Sequence, residues 1–191
     1  MGSEIQVSSI SCPDESVDLL IMQIKTCTQD DISDLIEVAT KSYIEHYTYL
    51  WLDNGTHYIN KNFNAVKINE EISDHNAVFF LLSDEQKFVG FIKLNIDSKT
   101  DGFSADKALE LERIYFIKEA SGKGLGKKAL AFVKDFAKQK SKNIIWLKAM
   151  EIGTAIEFYK KQGFTIVRET YLDYPGVKAG FQKMFILHLQ L

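Results

Sequence analysis

The chain has 191 residues, 46% of them apolar and 26% charged, with a formal net charge of −3; this is the make-up of a globular domain long enough to bury a core. A slightly acidic balance with no basic block argues against nucleic acid as a partner. No apolar run approaches the ~20 residues that cross a bilayer, and no signal peptide opens the chain, so no membrane partner and a cytoplasmic location are expected. Two cysteines, Cys12 and Cys27, and four scattered histidines supply neither a disulfide framework nor metal-ligand spacing, and no metal is expected.

Residues 1–18 are polar, mixed and aperiodic, and read as a flexible lead-in to a single domain over 19–191. Leu19 to Cys27 predicts a first strand. Thr28 followed by Asp31 is a helix start, with Ile32, Leu35, Ile36 and Ala39 as the apolar stripe. An aromatic segment follows (Tyr43, Tyr47, Tyr49, Trp51, Tyr58), interrupted by the turn-forming run Asp53 to Gly55. These rings either pack on a sheet or line a substrate mouth, where their faces attract a cation. One helix is expected over Tyr58 to Ile72. Ala77 to Leu82 and Lys87 to Asn95 predict a hairpin, with Gly90 marking a bulge or a close backbone approach. Asp97 to Asp106 reads as an exposed loop.

Leu109 to Ile117 predicts the strand on which the rest is organised. It runs into Ser-Gly-Lys-Gly-Leu-Gly (Ser121 to Gly126) and then into a helix to Gln139, with Leu125, Ala129, Phe132, Val133 and Phe136 at helical spacing. A strand, a glycine turn and a helix N-terminus form an anion site. The first amides of the helix lack partners, its dipole favours negative charge, and glycines let a phosphate approach the backbone. Asn143 to Met150 predicts another strand. Thr154 to Gln162 predicts a short helix with a Thr154/Glu157 capping box and Gly163 at its left-handed end. Phe164 to Tyr171 and Phe181 to Leu189 are the last strands, joined around Pro175 and Gly176.

The loop is not a nucleotide P-loop: Ser121 stands where the first glycine is required, and Lys128 where the magnesium-binding hydroxyl is required. Nor is it a dinucleotide fingerprint, because its glycines are spaced G-x-G-x-G and lie deep in the chain. Its surroundings are more telling. The run from Ile114 to Leu130, followed by A-I-E-F-Y-K-K-Q-G-F, resembles the GNAT superfamily of N-acetyltransferases. Gly124 and Gly126 match its pyrophosphate signature, and Ala155, Tyr159, Gly163 and Phe164 match its second motif. A nearer likeness is to bacterial spermine/spermidine acetyltransferases, through Gly90 to Asn95, Leu111 to Tyr115 and Ile145 to Leu147. Two positions depart from the pattern. Ser121 replaces the usual Gln or Arg, and Ile152 replaces an Asn, which leaves a CoA-binding module without turnover as an alternative.

The resemblance implies an α/β fold whose central, mostly antiparallel sheet has two splayed parallel strands and is flanked by helices. It implies acetyl-CoA as cosubstrate, with the pyrophosphate on Gly122, Lys123, Gly124, Leu125, Gly126 and Lys127. The pantetheine would lie along Ile114, Tyr115 and Phe116. Tyr159 is implied as the general acid to the leaving thiolate, and it counts among the cofactor-binding residues. A phenol near its reference pKa of ~10 is protonated at neutral pH. For a base, Glu110 and Glu112 alternate with Ile114 on one strand face while Arg113 points the other way; either glutamate is a candidate, Glu112 slightly preferred. A polyamine or other small primary amine is the expected acceptor, and a protein N-terminus or lysine the alternative. A narrow acidic cleft would suit polyamines and an open groove peptides. The resemblance also allows a homodimer paired through the last strands.

Overall fold

The computed structural model describes residues 22–191. The lead-in over 1–18, and the first part of the strand expected from Leu19, lie outside the described residues. Within them, β1 (Gln23–Thr26), β2 (Ala77–Asp84), β3 (Lys87–Asn95), β4 (Ala108–Phe116), β5 (Ile144–Met150), β6 (Thr165–Tyr171) and β7 (Lys183–Gln190) form one seven-stranded sheet in the order β1-β2-β3-β4-β5-β7-β6. All pairings are antiparallel except that of β4 with β5. The expected mixed α/β architecture is present.

Alternation along the strands assigns the two faces. On one, Phe80 of β2 meets Phe132 and Phe136 of α4 (Leu125–Gln139) at ring distances of 4.8 and 5.5 Å. On the other, Phe91 of β3 meets Phe63 and Tyr115 at 6.4 and 5.4 Å. That second face also carries α1 (Ile32–Tyr47), whose buried Leu35, Val38, Ala39 and Tyr43 continue the predicted stripe. Thr28 caps a 3-10 turn over Gln29–Asp31 that leads into α1, whose N-cap is Asp31; the Asp31 carboxylate accepts from the Thr28 amide and hydroxyl at 2.9 and 3.1 Å.

The helix expected over Tyr58 to Ile72 is two helices, α2 (Thr56–Asn62) and α3 (Ala65–Ser73). Asn64 breaks it. Its backbone is extended and its side chain accepts from the Lys67 amide at 2.9 Å, capping α3. The capping box expected at α5 (Ala155–Lys161) does not form. Thr154 has helical dihedrals of −91° and −5° and makes no side-chain cap, and Glu157 accepts instead from Lys160 at 3.0 Å. Gly163 does have the positive φ expected of it, +96°. The stretch Asp97 to Asp106 is not simply exposed: Thr100 is buried, its hydroxyl 2.8 Å from Nε2 of His188.

Gly90 serves both predicted purposes. The register of β2 on β3 shifts beside it, passing from Leu82↔Gly90 to Ser83↔Phe88. A Cβ there would lie 2.5 Å from the Tyr115 carbonyl oxygen and 2.8 Å from Cδ1 of Phe116. Backbone cannot yield as a flexible side chain can, so Gly90→Ala is expected to destabilise the fold by about 1–3 kcal/mol, read from urea unfolding midpoints.

Candidate active site

β4 and β5 pair only through Ala108↔Ile144, Leu109↔Ile145 and Glu110↔Trp146. Beyond that point β4 continues to Phe116 and β5 to Met150 without joining, so the sheet opens in its middle. Backbone groups on the inner edges of the fork are left for a ligand to satisfy. Two clefts meet in this opening.

The first cleft, about 470 Å³, is lined by Ile114, Tyr115 and Phe116 of β4, by Ser121, Gly122, Gly124, Leu125, Gly126 and Lys127 of the glycine loop, and by Phe158 and Tyr159 of α5. The local sequence explains the loop. Gly122 and Gly124 have φ of +80° and +75°, a conformation costly for other residues, and Gly124 is the N-cap of α4. No protein acceptor among the described residues takes the amides of residues 122–126. A Cβ on Gly122 or Gly124 would meet nothing within 4 Å. The result is a ring of free N–H groups at a helix N-terminus, suited to phosphate oxygens. Lys127 lines this cleft, but Lys123 does not: its ammonium is turned to the buried Asp84, 3.0 Å away. The hydrogen bond it donates to that carboxylate raises the Lys123 pKa.

The second cleft, about 310 Å³, lies on the other side of Tyr159 and Ile114. Its walls are aromatic, including Tyr47, Tyr49, Tyr58 and Tyr115. Tyr43, in the same wall, stacks on Tyr58 at 4.6 Å and accepts from the Trp51 indole at 2.9 Å. The β6–β7 connection closes this end: Leu52 donates to Gly176 at 2.9 Å, Lys178 to Leu50 at 2.8 Å, and Tyr174 packs on Tyr58 at 5.2 Å. The aromatic segment therefore does both things the sequence allowed: Tyr43 and Trp51 are buried in the core and also border the cavity with Tyr47, Tyr49 and Tyr58.

The two glutamates part company. Glu112 lines the second cleft; Glu110 lines neither cleft and is held by Asn95 and Ser98 at 2.9 and 3.1 Å. The parity that set Arg113 on the opposite face also fails. β3 pairs Lys93↔Arg113 and then Leu94↔Leu111, so Glu112 is an extra residue in a bulge. Glu112 and Arg113 consequently interact at 3.1 Å, and with Lys93 and Glu71 of α3 they form a closed cycle: Lys93–Glu112 2.7 Å, Lys93–Glu71 3.0 Å, Arg113–Glu71 3.2 Å. Burial alone would raise the Glu112 pKa, but the charges of Arg113 and Lys93 and hydrogen bonds from Lys93 and Asn95 outweigh it and hold the carboxyl low. Glu112 is a fixed anion.

Tyr159 is 9% exposed and lines both clefts. Its ring is wedged edge-on between Phe158 and Phe164, with centroids 5.3 and 5.4 Å away. Burial pushes its phenol above the ordinary range. Ser121 lines the first cleft and the half-exposed Ile152 the second, so both departures from the motif fall at the site. Motif reading passed over Lys148, Thr154 and His46 in the walls. The signal for His46 was its place on the Tyr43/Tyr47 stripe at the end of α1.

A forked sheet with a loop of unpartnered amides on one side of a buried phenol and an aromatic-walled cavity on the other suits group transfer between two substrates. The chain belongs to the acetyltransferase (GNAT) family, whose profile matches residues 35–164, and it is an acyltransferase. An uncharacterized N-acetyltransferase of Lactobacillus delbrueckii subsp. lactis is 26% identical over 149 residues, covering 75% of this chain and 84% of that one. The PaiA N-acetyltransferase of Thermoplasma acidophilum, in complex with coenzyme A, superposes with a TM-score of 0.72 at 22% identity, over 90% of this chain and 99% of its own. A spermidine N-acetyltransferase from Vibrio cholerae superposes with a TM-score of 0.64 at 17% identity, over 88% and 93%. The two superpositions establish the shared fold.

Proposed function

We propose that this protein transfers the acetyl group of acetyl-CoA to a small primary amine. The observation that carries the reading is the position of Tyr159 between two clefts, one lined by the glycine loop and the start of α4 and the other walled by tyrosines. The diphosphate of the cosubstrate is read onto the free amides of residues 122–126, with the Lys127 side chain beside them, and its pantetheine arm onto the open edge of Ile114, Tyr115 and Phe116. The thioester then lies at the fork beside Tyr159. The amine attacks the carbonyl carbon, the carbon–sulfur bond breaks, and the phenol gives its proton to sulfur. The coenzyme A bound to the PaiA N-acetyltransferase supports the donor.

The acceptor cavity speaks to the amine. Its charged lining is one carboxylate, Glu112, set against Lys148, with His46 beside them. Glu112 is already shared by Lys93 and Arg113. Three or four ammonium groups of a polyamine would find little compensation in such a wall, whereas one ammonium is met by Glu112 and by the faces of Tyr47, Tyr58 and Tyr115. The geometry therefore favours an amine with a single cation and an apolar body over the polyamine expected from the sequence. A panel of phenethylamine, tyramine, histamine, spermidine and a lysine peptide with acetyl-CoA, followed by free thiol, tests both levels. The expected result is thiol release with kcat/KM at least about tenfold higher for the arylalkylamines. A preference for spermidine would restore the polyamine assignment, and no release with any amine would overturn the activity.

A further inference from the structure

We propose that His46 is the proton acceptor for the attacking amine, a catalytic residue that neither motif of the sequence contains. The inference rests on the acetyl-transfer reading above. An amine reaches the active site as an ammonium and must lose a proton before its nitrogen can attack. That loss has to occur where the two clefts meet, because the thioester approaches from one and the amine from the other. The titratable groups that line both clefts are His46, Tyr47, Tyr115 and Tyr159; the other shared residues, Ile114, Thr154 and Ala155, offer only aliphatic groups and a hydroxyl.

Among the four, the phenols are excluded as acceptors. Burial and then neighbouring tyrosines push Tyr47 up to about 12 and Tyr115 well above the ordinary range, and Tyr159 rises for the same reasons. Each remains protonated and cannot take a proton. The imidazole of His46 is the one group at the junction with a lone pair available for the purpose. It is half-buried in the last turn of α1. Its ring meets the Tyr47 ring edge-on at 6.4 Å and has no hydrogen-bond partner among the described residues, so nothing in the fold employs its nitrogens. The charged and titratable groups around the same two clefts are Glu112 and Tyr115 of β4, Lys148 of β5, Lys127 at the start of α4, Tyr159 of α5, and Tyr43, Tyr47, Tyr49 and Tyr58. Glu112 lines only the acceptor cleft and is committed to Lys93, Arg113 and Asn95. It suits attraction of the ammonium, while His46 suits removal of the proton.

The protons balance. The ammonium gives one proton to His46, which passes it to solvent. The nitrogen then bonds to the carbonyl carbon while sulfur leaves with the electron pair of the carbon–sulfur bond and the proton of Tyr159. The second nitrogen proton restores the phenol through water. The products are the amide, the free thiol and one released proton.

The test compares wild type, His46→Gln, His46→Ala and Glu112→Gln across pH 6.5 to 9.5 with the best amine of the panel. Acetyl-CoA affinity is measured by calorimetry on each. For His46→Gln, kcat is expected to fall roughly 100-fold at pH 7 with acetyl-CoA affinity unchanged. The deficit should shrink as pH nears the amine's own pKa of about 10, because the acceptor then arrives neutral. Added imidazole should restore part of the rate of His46→Ala, which a packing role would not allow. A constant deficit across pH without imidazole rescue, or a pH-dependent deficit appearing in Glu112→Gln alone, overturns the proposal while leaving acetyl transfer intact. Wild type that binds acetyl-CoA and acetylates no amine overturns both.

Discussion

Tyr159→Phe is expected to lower kcat by about 1000-fold while changing acetyl-CoA affinity less than threefold. The substitution removes one oxygen and keeps the ring that Phe158 and Phe164 grip edge-on. The hydroxyl has no hydrogen-bond partner among the described residues, so its loss strands no buried donor or acceptor, and the thermal midpoint should stay within a few degrees of wild type. The thiolate then leaves without a proton, and the loss falls on kcat rather than on cosubstrate binding. The direction of the pKa shift adds a second reading. Burial raises the Tyr159 phenol above its ordinary value, so the acid stays protonated as pH rises, and the wild-type rate should show no falling limb from this group below pH 10. Calorimetric titration with acetyl-CoA and a pH–rate profile measure both. Equal turnover by the variant would show that sulfur takes its proton from water and would remove Tyr159 from the mechanism.

The portions of this site that the sequence displayed are those whose parts are neighbours in the chain. The glycine turn, its entry strand and its helix occupy consecutive residues, and so does the α5 unit carrying Ala155, Tyr159 and Gly163, so both motifs that carry the family resemblance could be read along the chain. Pattern failed where the chain departs from regular geometry by one residue. The bulge at Glu112 overturns the parity that separated it from Arg113, and no feature of L-E-R-I-Y announces an extra residue. Asn64 divides a helix whose apolar positions, Ile59, Phe63 and Val66, keep steps of four and three across the break. Lys123 looks like a phosphate ligand until the hairpin brings Asp84 beside it. The acceptor cavity was least visible, because α1, β4, β5 and the β6–β7 connection each contribute a wall. Its charge depends on the Glu71–Lys93–Glu112–Arg113 cycle, drawn from three separate elements.

Gly126→Asp is expected to weaken acetyl-CoA binding by about 1000-fold without destabilising the protein, and the two effects have opposite electrostatic signs. Gly126 is the second residue of α4, and a Cβ there makes only ordinary contact with the Phe158 ring at 3.5 Å. The backbone is helical, so a side chain is accommodated without strain. A carboxylate in the first turn of a helix interacts favourably with the dipole, by about 0.3–1 kcal/mol, so unfolding midpoints should hold or rise slightly. The same carboxylate occupies the place read for the diphosphate: it competes for the free amides of residues 122–126 and repels the incoming charge. A loss of about 4 kcal/mol in binding corresponds to the factor stated. Gly126→Ala is the control, adding the Cβ without the charge, and should cost no more than about tenfold. Calorimetric affinities for coenzyme A with each variant, beside urea unfolding of the same samples, separate the contributions. If Gly126→Asp binds coenzyme A as wild type does, the diphosphate rests elsewhere. The cradle at the start of α4 would then be a turn that caps a helix and nothing more.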